Sequence, residues 1–197
     1  MDFPRSEKKW LFRPKPRDIS SEHIKKIAVD FDLPETIARI LVLRGLSEKN
    51  NIIDFLNPTL QQLPRPHKMK GMNEAVAILQ EALKSQEPVT VFGDFDADGV
   101  TSTAILSLFF TELGVPSHSY IPDRLSEGYG LNRKAIRKIH DHNMRRWGAA
   151  GILLTADCGI SDSDAVKEAQ KLGFKVIITD HHKPPEKLPQ ADAILNP

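Results

Sequence analysis

The sequence predicts an α/β protein: a mostly parallel sheet with helices on both faces, preceded by a small helical lead. Three observations point there. From about residue 71 onward, segments with helical spacing alternate with short apolar runs. Two of those runs, GILLT at 151–155 and FKVIIT at 174–179, are almost unbroken in apolar character. A strand needs no polar side only when both of its faces are covered, as in a parallel sheet between two helical layers. The third observation is VTVFGDFDADGVTSTAILSLFFTEL at 89–113, where an apolar run breaks into an acidic loop and resumes as a segment long enough for a helix.

The arm and helical lead are expected to occupy residues 1–70. Residues 1–17 mix Arg5, Lys8, Lys9, Arg13, Lys15 and Arg17 with Phe3, Trp10 and Phe12. Such a segment can follow a nucleic-acid backbone and stack bases, or it can be a proline-broken arm packed by its aromatics. Ile24, Ile27, Ala28 and Phe31 repeat at helical spacing behind Ser20 and Ser21, and Ile37, Ile40, Leu41 and Arg44 continue the pattern until Gly45. A short helical turn is expected at 52–56. The run 61–70, with Pro64 and Pro66, is the expected boundary. The α/β domain then takes 71–197. Asn73 is placed to cap a helix carrying Val76, Leu79 and Leu83 on one face. After the strand at 89–92 and its acidic loop, the expected order is helix 101–113, strand 117–121, helix 132–139, strand 151–155, helix 163–172 and strand 174–179.

Composition narrows the class. A net charge of +1 argues neither for nor against nucleic acid, so any basic surface must be local. The single cysteine, Cys158, excludes an internal disulfide framework. No apolar run approaches the ~20 residues of a membrane span, and the polar first residues lack the apolar core of a signal peptide. The expectation is a cytoplasmic enzyme or binding protein with no membrane partner.

Chemistry gathers where the strands end. The strand at 89–92 is followed by Asp94, Asp96 and Asp98, GILLT by Asp157, and FKVIIT by Asp180, His181 and His182. Ligands of such sheets bind beyond the carboxyl ends of the strands, so parallel strands would bring these five acids and two histidines to one rim. Carboxylates that close repel one another and expect a cation. A calcium loop of the EF-hand type is a rival, but its twelfth position falls on Ile105 instead of a bidentate acid. A turn of solvated acids, with Asp98 near the helix start acting as a cap, is another. Carboxylates with imidazole and no thiolate pair suit manganese or magnesium; Cys158 reads as a small buried residue. A shared carboxylate such as Asp157 can bridge two ions ~3.5–4 Å apart, the spacing used for phosphoryl chemistry. The loop IPDRLSEGYGLN at 121–132 adds Arg124 as a forked phosphate donor and Tyr129 as a stacking face between two glycines.

These motifs resemble a known family. The triplet Asp180-His181-His182, in order behind GDFDADG and TADCGI, resembles the motif set of the DHH phosphoesterase superfamily. VFGDFDADGVTSTAIL, IPDRLSEGYGLN, LLTADCGI and TDHHKPPEKLPQADAILNP, with ARILVLRGL and KGMNEAV before them, are most similar to its bacterial single-strand-specific DNA exonucleases. The resemblance covers nearly the whole chain. It implies 5′-to-3′ hydrolysis of single-stranded DNA by a metal-activated water in repair and recombination, with Mn²⁺ or Mg²⁺, two ions in the complete enzyme. It also implies work beside a single-strand-binding protein and a helicase. Asp96, Asp98, Asp157 and His181 match metal-ligand positions, with Asp157 the expected bridge, and Asp94 opens the motif as a further candidate. His182 matches the position facing the scissile phosphate, Asp180 orients the histidines, and Arg124, Tyr129 and Asn132 are the expected contacts to DNA.

Two departures qualify the match. Members of the superfamily carry a further metal-binding acid and a second domain well beyond the triplet, whereas this chain stops at Pro197, so it is expected to be an N-terminal piece. Phe92 stands where the pyrophosphatases of the superfamily carry a histidine ligand, which argues against that branch. Alternatives are a phosphodiesterase of short oligonucleotides or cyclic dinucleotides, and a non-catalytic nucleic-acid-binding protein on the same scaffold.

Overall fold

The structure, a computed structural model, describes residues 20–128 and 130–197. The chain divides into two compact units, Met1–Leu63 and Pro64–Pro197.

In the first unit the serine and the apolar spacing predicted for the lead produce α1 (Ser21–Asp30), α2 (Glu35–Leu43) and α3 (Lys49–Leu56). Ser20 caps α1, its hydroxyl oxygen accepting the His23 N–H at 3.0 Å, which satisfies one of the orphan donors of the first turn. Ile24, Ile27, Ala38, Leu41 and Ile52 bury themselves between the three helices. Each large aliphatic side chain so buried contributes about 1.5–3 kcal/mol.

The second unit holds α4 (Met72–Ser85), β1 (Val89–Gly93), α5 (Ala97–Glu112), β2 (Ser117–Tyr120), α6 (Arg133–Trp147), β3 (Ile152–Ala156), α7 (Ser163–Lys171), β4 (Lys175–Thr179) and β5 (Ala193–Leu195). The strands form one all-parallel sheet in the order β2-β1-β3-β4-β5. Alternate residues serve opposite faces. Phe92, Leu153, Val176 and Ile178 join Ile136, Ile139 and Val166 under α6 and α7, while Val91, Ile152, Leu154 and Ile177 join Phe110 and Ala82 under α4 and α5. Both faces are therefore dry, which is why β3 and β4 read as continuous apolar runs.

Two elements differ from expectation. Helix α5 starts at Ala97 rather than near 101, because Asp96, not Asp98, is its N-cap; the Asp96 carboxylate accepts the N–H groups of Asp98 and Gly99, both at 3.0 Å. The acidic loop is thus a helix start, which also removes the EF-hand geometry. Strand β5 has no counterpart in the order expected from the sequence.

Glycine is required where α5 meets β1. A Cβ on Gly93 would stand 1.9 Å from Thr103 Oγ1, and one on Gly99 would stand 2.5 Å from the Asp94 carbonyl oxygen. No helix among the described residues is long and apolar enough to cross a membrane.

Candidate metal centre

From β1 the chain crosses to β2 on one side, then returns to β3 on the other, so the strand order reverses between β1 and β3. That reversal opens a crevice at the carboxyl ends of those two strands. Three acids sit in a row across it. Asp94, Asp157 and Asp180 each stand one residue past a strand and still donate a backbone N–H to the next strand over, to Ala156 O at 3.3 Å, Thr179 O at 3.0 Å and Leu195 O at 3.0 Å. The unexpected β5 is what anchors Asp180. All three side chains are buried.

Asp157 is the hub. Its backbone is left-handed, with φ at 66°, a conformation that a non-glycine residue adopts at a cost. Thr155 frames this turn: its hydroxyl donates to Cys158 O at 2.7 Å, and its own carbonyl accepts the Thr179 hydroxyl at 2.6 Å. One Asp157 oxygen, Oδ1, lies 2.9 Å from His181 Nε2. The other, Oδ2, is buried with no hydrogen-bond partner. Burial, and next the nearby Asp96 carboxylate, push the Asp157 carboxyl above its ordinary range.

Candidate ligand atoms of Asp94, Asp96 and Asp157 lie within 4.8 Å of one another, and so do those of Asp157, His181 and His182. Asp157 belongs to both groups. Asp96 is exposed, and its carboxyl is held below the usual range first by the Gly99 N–H. Asp98 falls outside both groups. It stands in the first turn of α5 and lines, with Asp157, Asp180, His181, Thr101 and Met69, a pocket of about 380 Å³.

Asp180 is fully employed inside the protein. Its Oδ1 accepts the N–H groups of His181 and His182 at 2.7 and 3.0 Å and contacts His182 Nδ1 at 2.7 Å, while Oδ2 accepts the Ile160 N–H at 3.0 Å. Burial raises its carboxyl, but these hydrogen bonds outweigh burial and leave it below its ordinary value. The Asp180 hydrogen bond correspondingly holds the His182 imidazole above its ordinary value. Asn196 closes the arrangement, donating to His182 O at 3.0 Å. Sequence reasoning misses Thr155, Thr179, Ile160 and Asn196. Nothing distinguishes their types from ordinary strand-end residues until β3, β4 and β5 are laid side by side.

The donor set fits a hard divalent cation. Three carboxylates and an imidazole meet without a thiolate: Cys158 is buried, its thiol is pushed up by burial, and its sulfur faces the Phe92 carbonyl oxygen at 3.8 Å. A buried carboxylate oxygen without a partner, beside two other carboxylates, is the feature a cation relieves.

The candidate nucleic-acid residues are less united. Arg124 lies over the Phe95 ring, 4.8 Å from its centroid, which ties the 121–128 loop to the acidic turn. Tyr129 lies outside the described residues. Asn132 is the N-cap of α6: its Oδ1 accepts the Ala135 N–H at 2.9 Å and its amide donates to Glu127 O and Gly130 O, so its side chain is taken up by the fold. Glu127 receives the Tyr120 hydroxyl at 2.8 Å and pairs with Lys138, giving the loop a fixed floor.

Known proteins resemble this chain over most of its length. It is 36% identical over 176 residues to the single-stranded-DNA-specific exonuclease RecJ of Bacillus subtilis, covering 89% of this chain and 22% of that protein. The protein of the same name from Thermus thermophilus is 39% identical over 154 residues, 78% of this chain and 21% of that one. The chain thus spans about a fifth of the length of these curated relatives. Among solved structures, exonuclease RecJ bound to manganese is similar with a TM-score of 0.59 and 38% identity, covering 68% of this chain and 32% of that one. RecJ in complex with Mn²⁺ from Thermus thermophilus gives 0.60 and 30%, over 91% of this chain and 24% of that one. The profile of the DHH family, N-terminal domain, matches residues 88–197, more than half of the sequence, and the chain belongs to that family.

Proposed function

We propose that this chain is the metal-binding core of a 5′-to-3′ exonuclease of single-stranded DNA that uses Mn²⁺ or Mg²⁺. The observation that carries the proposal is the row of Asp94, Asp157 and Asp180 across the switch point, with His181 on the hub carboxylate and His182 on Asp180. Asp94, Asp96 and Asp157 would hold one cation, Asp157 with His181 a second, and Asp98 borders the same pocket. Two ions when bound would supply Lewis acidity, activating a water and neutralising phosphate oxygens in the transition state.

The chain's own residues do the rest. Asp157 presents a carboxylate already stripped of water and of one hydrogen-bond partner, so it has little to give up on binding. Asp180 holds His182 by Nδ1 and by its backbone N–H, which leaves Nε2 as the nitrogen free for the phosphate. With its pKa raised by Asp180, that imidazole is protonated more of the time near neutral pH, suiting it to donate a proton to the leaving oxygen. Arg124, held over Phe95 beside the acidic turn, offers a guanidinium to phosphate. We place the protein in the cytoplasm in DNA repair and recombination, where a helicase exposes single strands and a single-strand-binding protein covers them.

The test has two parts. Calorimetry should show manganese binding that Asp157→Ala removes. A single strand labelled at its 3′ end should then be shortened in manganese from the 5′ end, and faster than a dinucleotide. Absence of manganese binding in the parent chain, or a preference for dinucleotides, overturns the reading.

A further inference from the structure

The acidic rim sets a difficulty for a polyanion. Asp94, Asp96, Asp98, Asp157 and Asp180 stand at one edge, and a nucleic-acid strand brings more negative charge to it. Phosphates that do not reach the metal centre need separate cations nearby. In the most basic helix, α6, Arg133, Arg137 and Lys138 are paired with Asp164, Glu168 and Glu127, Lys134 and Arg145 donate to the Ser126 and Asp141 carbonyls, and Arg146 lies over the Trp147 ring.

The segment RPHKMK at 65–70 is different. Arg65, Lys68 and Lys70 are exposed, no acid lies within the segment, and none of the three has an ion-pair partner among the described residues. It is not a slack linker. Pro66–Lys68 is a 3₁₀ turn in which the Lys68 N–H donates to Arg65 O at 2.9 Å and the Met69 N–H to Pro66 O at 3.0 Å. Gly71, at φ 81°, packs so closely on β5 that a Cβ there would stand 2.1 Å from Ile194 O. The segment is therefore docked on the strand that anchors Asp180. Between the two lysines, Met69 lines the same pocket as Asp98, Asp157 and His181. Lys70 lines a second pocket of about 550 Å³, which shares Pro197 with the first.

We propose that Arg65, Lys68 and Lys70 bind the phosphate backbone of the single strand where it passes the metal centre. The proposal rests on the phosphodiesterase reading above. A guanidinium and two ammonium groups, fixed in backbone but free in side chain, match a backbone of irregular spacing; they would grip without reading sequence.

The experiment measures fluorescence anisotropy of a labelled phosphorothioate oligodeoxythymidylate in manganese buffer as salt is varied. The variant R65A/K68A/K70A should bind about tenfold or more weakly at low salt. The slope of log affinity against log salt should fall by about 2, near 0.7 for each single-strand phosphate that the variant leaves without a cation. Manganese affinity by calorimetry should be unchanged. A control lacking Lys84 and Lys171, in the last turns of α4 and α7 at the opposite end of the sheet, should bind like the parent. If the parent binds the strand and the triple variant matches it in affinity and slope, or if the control weakens as much, this proposal alone falls. If the parent binds no strand, the functional reading falls and takes the proposal with it.

Discussion

His181 Nε2 lies 2.9 Å from Asp157 Oδ1, while the other oxygen of the same carboxylate is buried without a partner. A charge held this way is destabilising unless a cation arrives, because burial and Asp96 both oppose ionisation. Asp157→Asn keeps the shape, and asparagine tolerates the left-handed backbone. In chelator at pH 7 the variant should therefore melt a few degrees higher than the parent. Manganese at ~100 times its dissociation constant should stabilise the parent by about 2.7 kcal/mol and the variant not at all. Thermal unfolding with and without manganese checks both halves; equal stabilisation of the two proteins removes Asp157 from the metal site.

The glycines of the acidic turn make a separate claim about packing. Gly93→Ala places a methyl 1.9 Å from Thr103 Oγ1, so either α5 shifts or the threonine does. We expect a loss of about 2–3 kcal/mol in urea denaturation. The Thr103 hydroxyl is itself buried without a partner, so Thr103→Ala should cost little by itself and should recover more than half of the Gly93→Ala loss. Additive losses in the double variant would show that the clash is elsewhere.

What is legible in the sequence is whatever is local. Asp94, Asp157 and Asp180 each follow an apolar run directly, so strand order and parallelism suffice to bring them to one rim. Contacts that depend on two strands at once are not legible: Thr155 with Thr179, Asp180 with Leu195, and Asn196 with His182. Strand β5 is three residues long, too short for alternation to show. Asn132 carries two readings in the sequence, since the short amide that suits a base edge is also among the best N-caps, and the structure shows the cap. The first turn of α5 carries few apolar residues, so its periodicity starts late and hides the true cap at Asp96. Further along α5, Ile105 and Leu108 are 68% and 67% exposed, and apolar type alone does not say which face of a helix is covered.

Away from the metal centre, His118 predicts an acid-sensitive step. Its ring lies tilted against those of His142 and Trp147, with centroids 4.5 and 5.6 Å away, contacts Thr90 Oγ1 at 3.4 Å, and has Arg146 nearby. Burial, then the charges of His142 and Arg146, lower its pKa from 6.5 to about 4. The folded state thus holds this imidazole neutral while the unfolded state binds a proton, so stability is complete above pH 6.5 and declines as pH falls toward 4. Discounted for the partly exposed ring, the loss is about 1–2 kcal/mol. Melting curves between pH 7.5 and 4.5, in chelator, should slope less steeply for His118→Gln than for the parent. Parallel curves would remove His118 as the source.

Thr155 links the scaffold to the chemistry. It is fully buried at the end of β3, and its hydroxyl donates to Cys158 O at 2.7 Å across the turn that carries Asp157 in its left-handed conformation. The same hydroxyl oxygen accepts the Thr179 N–H at 3.3 Å, so one atom ties the Asp157 turn to the strand leading into Asp180. Thr155→Val preserves shape and removes both bonds, leaving the Cys158 carbonyl unpaired at about 1–3 kcal/mol. A purely structural hydroxyl would lower the melting temperature and nothing else. If it positions the hub carboxylate, manganese affinity should also fall, by about 10- to 100-fold, as for other residues that orient metal ligands. Thr155→Ser keeps the hydroxyl and should restore the affinity even where it does not restore full stability. Calorimetry on the two variants separates these outcomes, and a valine variant that binds manganese as tightly as the parent would confine Thr155 to the fold.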